Sequence, residues 1–266
     1  MIMKRIFFFI SLLMTGMCTQ ASGFDHGAWD TLLKKYVVSI RQGQATQVNY
    51  AGLIRDRSQL KAYLAATSAV SQATFDRWSK SDQLAFLINT YNAWTVELVL
   101  TRYPAITSIK DLGSLFQSAW GMSFVPLMGK TRSLDDIEHG LIRAETRYQE
   151  PRIHFAVNCA SIGCPALRSE AYVGERLVAQ LDEATRLFLS DRSRNWLNGD
   201  VLKLSSIFKW YRQDFERGWG GYQELSQFLI AYGQALGLSD KDVQQLKSGA
   251  LDIEFTDYDW RLNRTP

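Results

Sequence analysis

The sequence predicts an α+β fold, a single helix-rich domain with a small sheet. Three observations carry this reading. Segments with a helical apolar period outnumber strand-like ones. The strand-like runs are short and too scattered for a doubly wound sheet. No repeat or low-complexity linker divides the chain.

The chain opens on "MIMKRIFFFISLLMTGMCTQASG", which has the form of a secretory signal. Lys4 and Arg5 give a basic start, Ile6 to Met14 an apolar run, and Thr19-Gln20-Ala21 a small-residue exit. The run is far short of the ~20 residues a spanning helix needs, so no stable membrane span is expected after cleavage. Residues 1–21 are therefore read as signal and residues 22–266 as one α+β domain. The expected location is periplasmic or secreted. A lipid-modified Cys18 is the competing reading, and Thr15 and Met17 stand where such sites usually carry leucine and a small residue.

Hydrophobic residues make up 46% of the chain and aromatics 12%, ample for a buried core. Removing Lys4 and Arg5 from the 30 basic residues leaves 28 against 27 acidic ones. That balance gives no electrostatic reason to expect nucleic acid or an anionic membrane surface as partner. A small-molecule or peptide ligand is the expected partner class, and no cofactor is expected.

The elements follow in order. Trp29 to Ile40 has Leu32, Leu33, Tyr36 and Val37 on one side of a helix. Val48, Tyr50 and Gly52 read as an extended segment entering a turn. Leu60 to Ala66 and Phe75 to Trp78 read as short helices. Ser81 is the expected N-cap, with Asp82 in the first turn, of the long helix "DQLAFLINTYNAWTVELVLTRYP". Leu84, Ile88, Tyr91, Thr95 and Leu98 form one stripe of it, while Phe86, Leu87, Trp94 and Leu100 are apolar elsewhere. Apolar surface nearly all round predicts a central buried helix. Its expected end is Tyr103, because Pro104 disfavours helix in the residue before it.

Phe124 to Leu127, Met128-Gly129-Lys130 and Thr131 to Ser133 read as strand, tight turn and return. Ser133 and Asp136 form a capping-box pattern at the start of "SLDDIEHGLIR". Ile153 to Val157 reads as a buried strand, Asn158 to Gly163 as a turn, and Tyr172 to Leu189 as an amphipathic helix. Val201 to Leu204 is a strand running into a helix capped by Ser205 or Ser206. Tyr222 to Leu236 is a further helix, with Leu225, Phe228, Leu229 and Tyr232 inward. Ile253 and Phe255 make a last strand.

Polar residues in these elements mark the candidate site. Asn89 and Asn92 share a stripe of the buried helix and must be hydrogen-bonded. They either tie down a neighbouring backbone or point into a site, orienting a histidine or donating to an oxyanion. Glu138 and His139 are adjacent and face about 100° apart on a helix. His139 either pairs with Asp135 or a carbonyl, or acts in the site. "IHFAVNCASIGCPALR" holds His154, Cys159 and Cys164. With Cys18 removed, the last two are the only cysteines, and in an exported protein such a pair reads first as a disulfide. The closed loop is short, so its entropic stabilisation is modest, roughly 2 kcal/mol.

"FLINTYNAW", "SLDDIEHGLIR" and "IHFAVNCASIGCPALR", followed by "LSSIFKWYRQDF", together resemble domain-of-unknown-function family 547. Its members occur in bacteria and, fused to other modules, in plants. The resemblance runs from about Tyr50 to Tyr232. The family's recurring residues match Asn89, Tyr91, Asn92, Glu138, His139, His154, Cys159, Ser161, Cys164 and Pro165. The resemblance implies that these residues, from four separate segments, form one shared site; it implies no activity.

Three chemistries compete for that constellation. In thiol-dependent acyl transfer, the hydrolysis of an amide or ester, Cys159 is the nucleophile and His154 or His139 the base. Asn89 or Asn92 would then orient the base or stabilise the oxyanion, beside Glu138. On an unbroken strand His154 and Cys159 would face opposite sides. All three histidines, His26, His139 and His154, precede Cys159, so a papain-like or transglutaminase-like site would need a permuted connection. In the second, non-catalytic reading, Cys159 and Cys164 form a disulfide and the domain binds a ligand or partner. The third is a metal site using His139 and His154 with Glu138 or the sulfurs, although the spacing fits no recognised zinc pattern. No metal ligand is assigned.

Overall fold

The computed structural model describes residues 23–114 and 116–266; the segment read as a signal, Cys18 included, lies outside them. Helix α1 (Gly27–Tyr36) buries Trp29, Leu32, Leu33 and Tyr36 on one stripe. It stops four residues before the expected Ile40. The β-branched pair Val37-Val38 instead begins strand β1 (Val37–Ile40), antiparallel to β2 (Ala45–Val48), with Val37 opposite Val48. Tyr50, expected to be extended, opens helix α2 (Tyr50–Arg55), because the Asn49 side chain caps it by accepting the Gly52 N–H. Helices α3 (Arg57–Ser68) and α4 (Gln72–Asp76) follow.

Helix α5 (Lys80–Leu100) is the central element and is buried on nearly every side, as its composition requires. Its cap is Ser79 rather than Ser81: the Ser79 hydroxyl accepts the Asp82 N–H at 3.0 Å and donates to the Asp82 carboxylate at 2.6 Å. It closes at Leu100, and turns fill the three residues before Pro104. Strands β3 (Val125–Leu127) and β4 (Lys130–Arg132) form the expected hairpin. Strands β5 (Trp196–Asn198), β6 (Val201–Ser205) and β7 (Asp252–Thr256) form a second unit, antiparallel between β5 and β6 and parallel between β6 and β7. Among the described residues the strands therefore fall into three small sheets rather than one.

The segment expected as a strand at Ile153–Val157 is instead a 3₁₀ turn, Pro151–Phe155. Two local features select it. The Glu150 carboxylate caps the turn by accepting the Arg152 N–H at 3.1 Å. Pro151, at the first helical position, has a preset φ and no N–H to leave unpaired. Helix α6 (Leu177–Ser190) follows, then α7 (Ile207–Trp210), which continues into a 3₁₀ turn at Arg212–Phe215. The single helix expected over Tyr222–Leu236 is split, because Tyr232 leaves helical geometry between α8 (Leu225–Ala231) and α9 (Gly233–Leu236). Helix α10 (Asp240–Ser248) precedes β7.

Two apolar clusters result, one around α1, α3 and α5 and one around α6, α8 and the three-stranded sheet. Among the described residues no helix is long and apolar enough to cross a membrane.

His26, beside the first turn of α1, is buried, with Nδ1 2.8 Å from the Tyr63 hydroxyl. Burial holds its pKa down at about 4, against the pull of Asp25. The folded state thus keeps His26 neutral where the unfolded chain, with a value of 6.5, takes up a proton. This stabilisation is complete above the unfolded value and is lost as pH falls towards the folded one. Between about pH 7 and pH 4 His26 is expected to cost the fold about 3 kcal/mol. Urea unfolding of wild type and His26→Gln at both pH values checks this: the variant's pH slope should be shallower by that amount.

Candidate functional site

The 3₁₀ turn at Pro151–Phe155 organises the site. With three residues per turn, successive side chains point about 120° apart. Ile153 and Ala156 enter the α5 cluster, Phe155 enters the α6–α8 cluster, and His154 lies between them. A strand would have put Ile153 and Phe155 on the same face.

His154 lines a cavity of about 210 Å³. Asp135, Glu138 and His139 come to it from the turn after β4, and Tyr91 from α5. Cys159, Cys164 and Pro165 form a second wall. Trp210 and Tyr211, at the end of α7, with Tyr258 and Trp260, form the third. The Trp260 ring packs on Trp120 and Trp210 at centroid distances of 5.8 and 5.7 Å. The structure thus brings His139, His154, Glu138 and both cysteines to one cavity.

His154 is 2% exposed and stacks on Tyr211 at 3.9 Å between centroids. Its Nε2 lies 2.7 Å from Oδ2 of Asp214, a carboxylate with no exposed surface. Asp214 also receives Arg143 at 2.6 and 3.0 Å and Arg217 at 2.6 Å. Burial opposes its ionisation, but the bonds from His154 and Arg143 outweigh that and hold its pKa at about 2. An ionised Asp214 can only accept, so Nε2 carries the proton and donates. Burial also pushes the His154 pKa down, against the pull of Asp214, so the ring is neutral. Its Nδ1 is then a bare lone pair, buried and without a hydrogen-bond partner among the described residues.

The Glu138–His139 segment is π-helical over Asp136–Ile142, opened by the expected box: the Ser133 and Asp136 N–H groups each donate to the other's side chain, at 2.8 and 2.9 Å. Arg143 Nη1 lies 2.7 Å from His139 Nδ1. Arginine has only donors, so Nδ1 accepts and Nε2 bears the proton, facing Asp135 at 3.8 Å. Glu138 is buried and accepts the Tyr211 hydroxyl at 2.7 Å. Burial raises the Tyr211 pKa, and Glu138 adds to the effect, which keeps the phenol as the donor. Asp135 is half exposed at the cavity, and burial, reinforced by Glu138 and Asp136, raises its pKa.

Cys159 and Cys164 are joined as a disulfide. The Tyr258 hydroxyl lies 3.1 Å from Cys159 Sγ and 3.3 Å from Cys164 Sγ, and the Ser161 hydroxyl 3.3 Å from Cys159 Sγ. The segment Tyr258–Asn263 holds this loop by its backbone: Ile162 N–H donates to the Arg261 carbonyl, Gly163 N–H to Asp259 and Asn263 N–H to Ala160. At Gly163 a Cβ would come within 2.9 Å of the Tyr258 ring, so only glycine allows this approach.

Asn89 and Asn92 are buried but are not among the residues lining the cavity. Asn89 donates to the Tyr172 carbonyl at 2.7 Å and accepts the Tyr172 N–H at 3.0 Å. Asn92 donates to the Ala156 carbonyl at 2.9 Å and accepts the Asn158 N–H at 2.8 Å. Each amide ties a loop backbone to α5, and Asn92 thereby fixes the two ends of the bend between His154 and Cys159. Among the described residues no three His, Cys, Asp or Glu side chains gather as metal ligands. His139 and His154 each commit one nitrogen, to Arg143 and Asp214 respectively.

Sequence reasoning missed Asp214, Tyr211, Tyr258 and Trp260. Asp214 and Tyr211 lie inside "LSSIFKWYRQDF", and an acid next to Phe215 in that aromatic run was the available signal. No local pattern marks Tyr258 or Trp260, which reach the cavity only through the pairing of their segment with the cysteine loop.

No curated protein and no solved structure matches the chain. The family model described as "Protein of unknown function, DUF547" matches residues 75–189, which run from α4 through α5 and the cysteine loop to α6. Over that stretch the chain is similar to the DUF547 family.

Proposed function

We propose that the chain is an exported ligand-binding protein whose binding site is the cavity around His154. The observation that carries this reading is the bond between Cys159 and Cys164 in the cavity wall, which leaves neither sulfur a thiolate. The aromatic lining supports it, since ligand pockets are mostly apolar with a few convergent polar groups. Export agrees with the basic and apolar start of the sequence, and an oxidising compartment keeps such a pair bonded. In a digest of unreduced protein, mass spectrometry is expected to find the Cys159 and Cys164 peptides linked. The Cys159→Ser/Cys164→Ser protein is expected to be about 2 kcal/mol less stable and still folded.

A second reading is favoured by His154 Nδ1. It is thiol-dependent acyl transfer after an external dithiol has reduced the disulfide. Cys159 would pass its proton to Nδ1 and attack the acyl carbon. The tetrahedral adduct would expel the amine or alcohol, which takes that proton, and water would hydrolyse the thioester. Asp214 would hold the ring in the required tautomer. Hydrolysis of p-nitrophenyl acetate with and without dithiothreitol separates the readings. Activity that appears only on reduction, and is lost in Cys159→Ser and His154→Gln, would assign the second. Equal inactivity in both states is the result expected for a binding site.

A further inference from the structure

Resting on the reading of this cavity as a binding site, we propose that its ligand presents a protonated primary amine on a small apolar body. Three features of the wall converge on that chemistry. The first is the sign of its charge: Asp135 and Glu138 line the cavity, and among the described residues no lysine or arginine does. The Arg143 guanidinium, bonded to the cavity residue His139 at Nδ1, is also committed to Asp214.

The second is hydrogen-bond polarity. His154 Nδ1 is a lone pair without a partner among the described residues, on a side chain 98% removed from solvent contact, and its other nitrogen is already spent on Asp214. A buried acceptor of this kind is stabilised by any donor that comes within reach of it. Glu138 and Asp135 also offer acceptors. An ammonium group has three N–H donors and no acceptor, which complements all three. A carboxylate ligand would meet like charge and a second lone pair. A quaternary ammonium would satisfy the charge and leave Nδ1 unpaired.

The third is the aromatic wall. Trp210, Tyr258 and Trp260 present aromatic rings of the kind that attract cations. The molecule already uses two rings of this wall in this way: Lys110 Nζ lies 3.6 Å from the centroid of Trp260 and Arg143 Cζ 4.9 Å from that of Tyr211.

Three probes of one shape test the assignment: cyclohexylmethylammonium, cyclohexylmethanol and cyclohexanecarboxylate, titrated calorimetrically into unreduced full-length protein at neutral pH and low salt. The ammonium is expected to bind at least about 10-fold more tightly than the alcohol, and the carboxylate not at all. Asp135→Asn, a change at a half-exposed side chain, should weaken the ammonium about 3-fold and leave the alcohol unchanged. Equal binding of ammonium and alcohol, or preference for the carboxylate, would overturn the charge assignment while the cavity stands as a binding site. No binding by any probe, with the disulfide intact, would overturn the assignment and count against the binding reading too.

Discussion

Asp214→Ala is expected to destabilise the protein by about 3–5 kcal/mol, the usual penalty for removing one partner of a buried ion cluster. Asp214 has no exposed surface, and His154, Arg143 and Arg217 converge on its two oxygens. Without the carboxylate, Arg143 and Arg217 keep their charges with little solvent to replace it, and His154 loses the partner that sets its tautomer. The destabilisation also has a pH signature. Because the Asp214 pKa is held at about 2, below the ordinary 3.8, its contribution is present above the ordinary value and vanishes as pH falls to the depressed one. Chemical denaturation at neutral pH and near pH 2.5 measures both. The gap between wild type and variant should be largest at neutral pH and narrow in acid.

Phe155→Ala is expected to cost a similar amount, about 3–5 kcal/mol, through a cavity rather than a charge. The ring is 1% exposed, with Phe188 at 5.0 Å and Phe208 at 5.7 Å between centroids. Phe215 and Phe228 pack around it at 6.1 and 6.0 Å. Four rings packed around the one removed cannot close the gap by small rotations, so the loss should lie toward the upper end of that range. Thermal and urea unfolding give the magnitude. Phe155→Leu, which keeps most of the volume, should recover more than half of the loss.

The helices were legible in the sequence where burial is one-sided or complete. The stripe in α1 and the all-round apolar surface of α5 announce their surroundings directly. Element ends were less legible, since they turn on single capping contacts such as Ser79 with Asp82, and Ser81 offers the same chemistry two residues later. The larger miss was Pro151–Phe155. An apolar, β-branched and aromatic run of five residues fits a buried strand and a 3₁₀ turn equally well. Its cap, Glu150, and Pro151 lie just outside the run that the period describes. This error also explains the expected separation of His154 from Cys159, which strand alternation requires and the observed bend does not. The motif residues Glu138, His139, His154, Cys159 and Cys164 all line one cavity. The asparagines carry the same motif signal for a different reason, bracing backbone. Asp214 and the aromatic wall were hidden because their proximity depends on tertiary pairing far along the chain.

The turn at Pro151–Phe155 also governs which length changes the chain can absorb. Ordinary loops accept an inserted or deleted residue because nothing downstream depends on their phase. Here one residue more or less would rotate the following side chains by about a third of a turn. An imidazole would be carried into a cluster of phenyl rings and a phenyl ring onto a buried carboxylate. The spacing between Pro151 and Cys159 is thus as fixed as the residues themselves, and variation in loop length has to be taken up elsewhere, in exposed turns such as Gly199–Asp200.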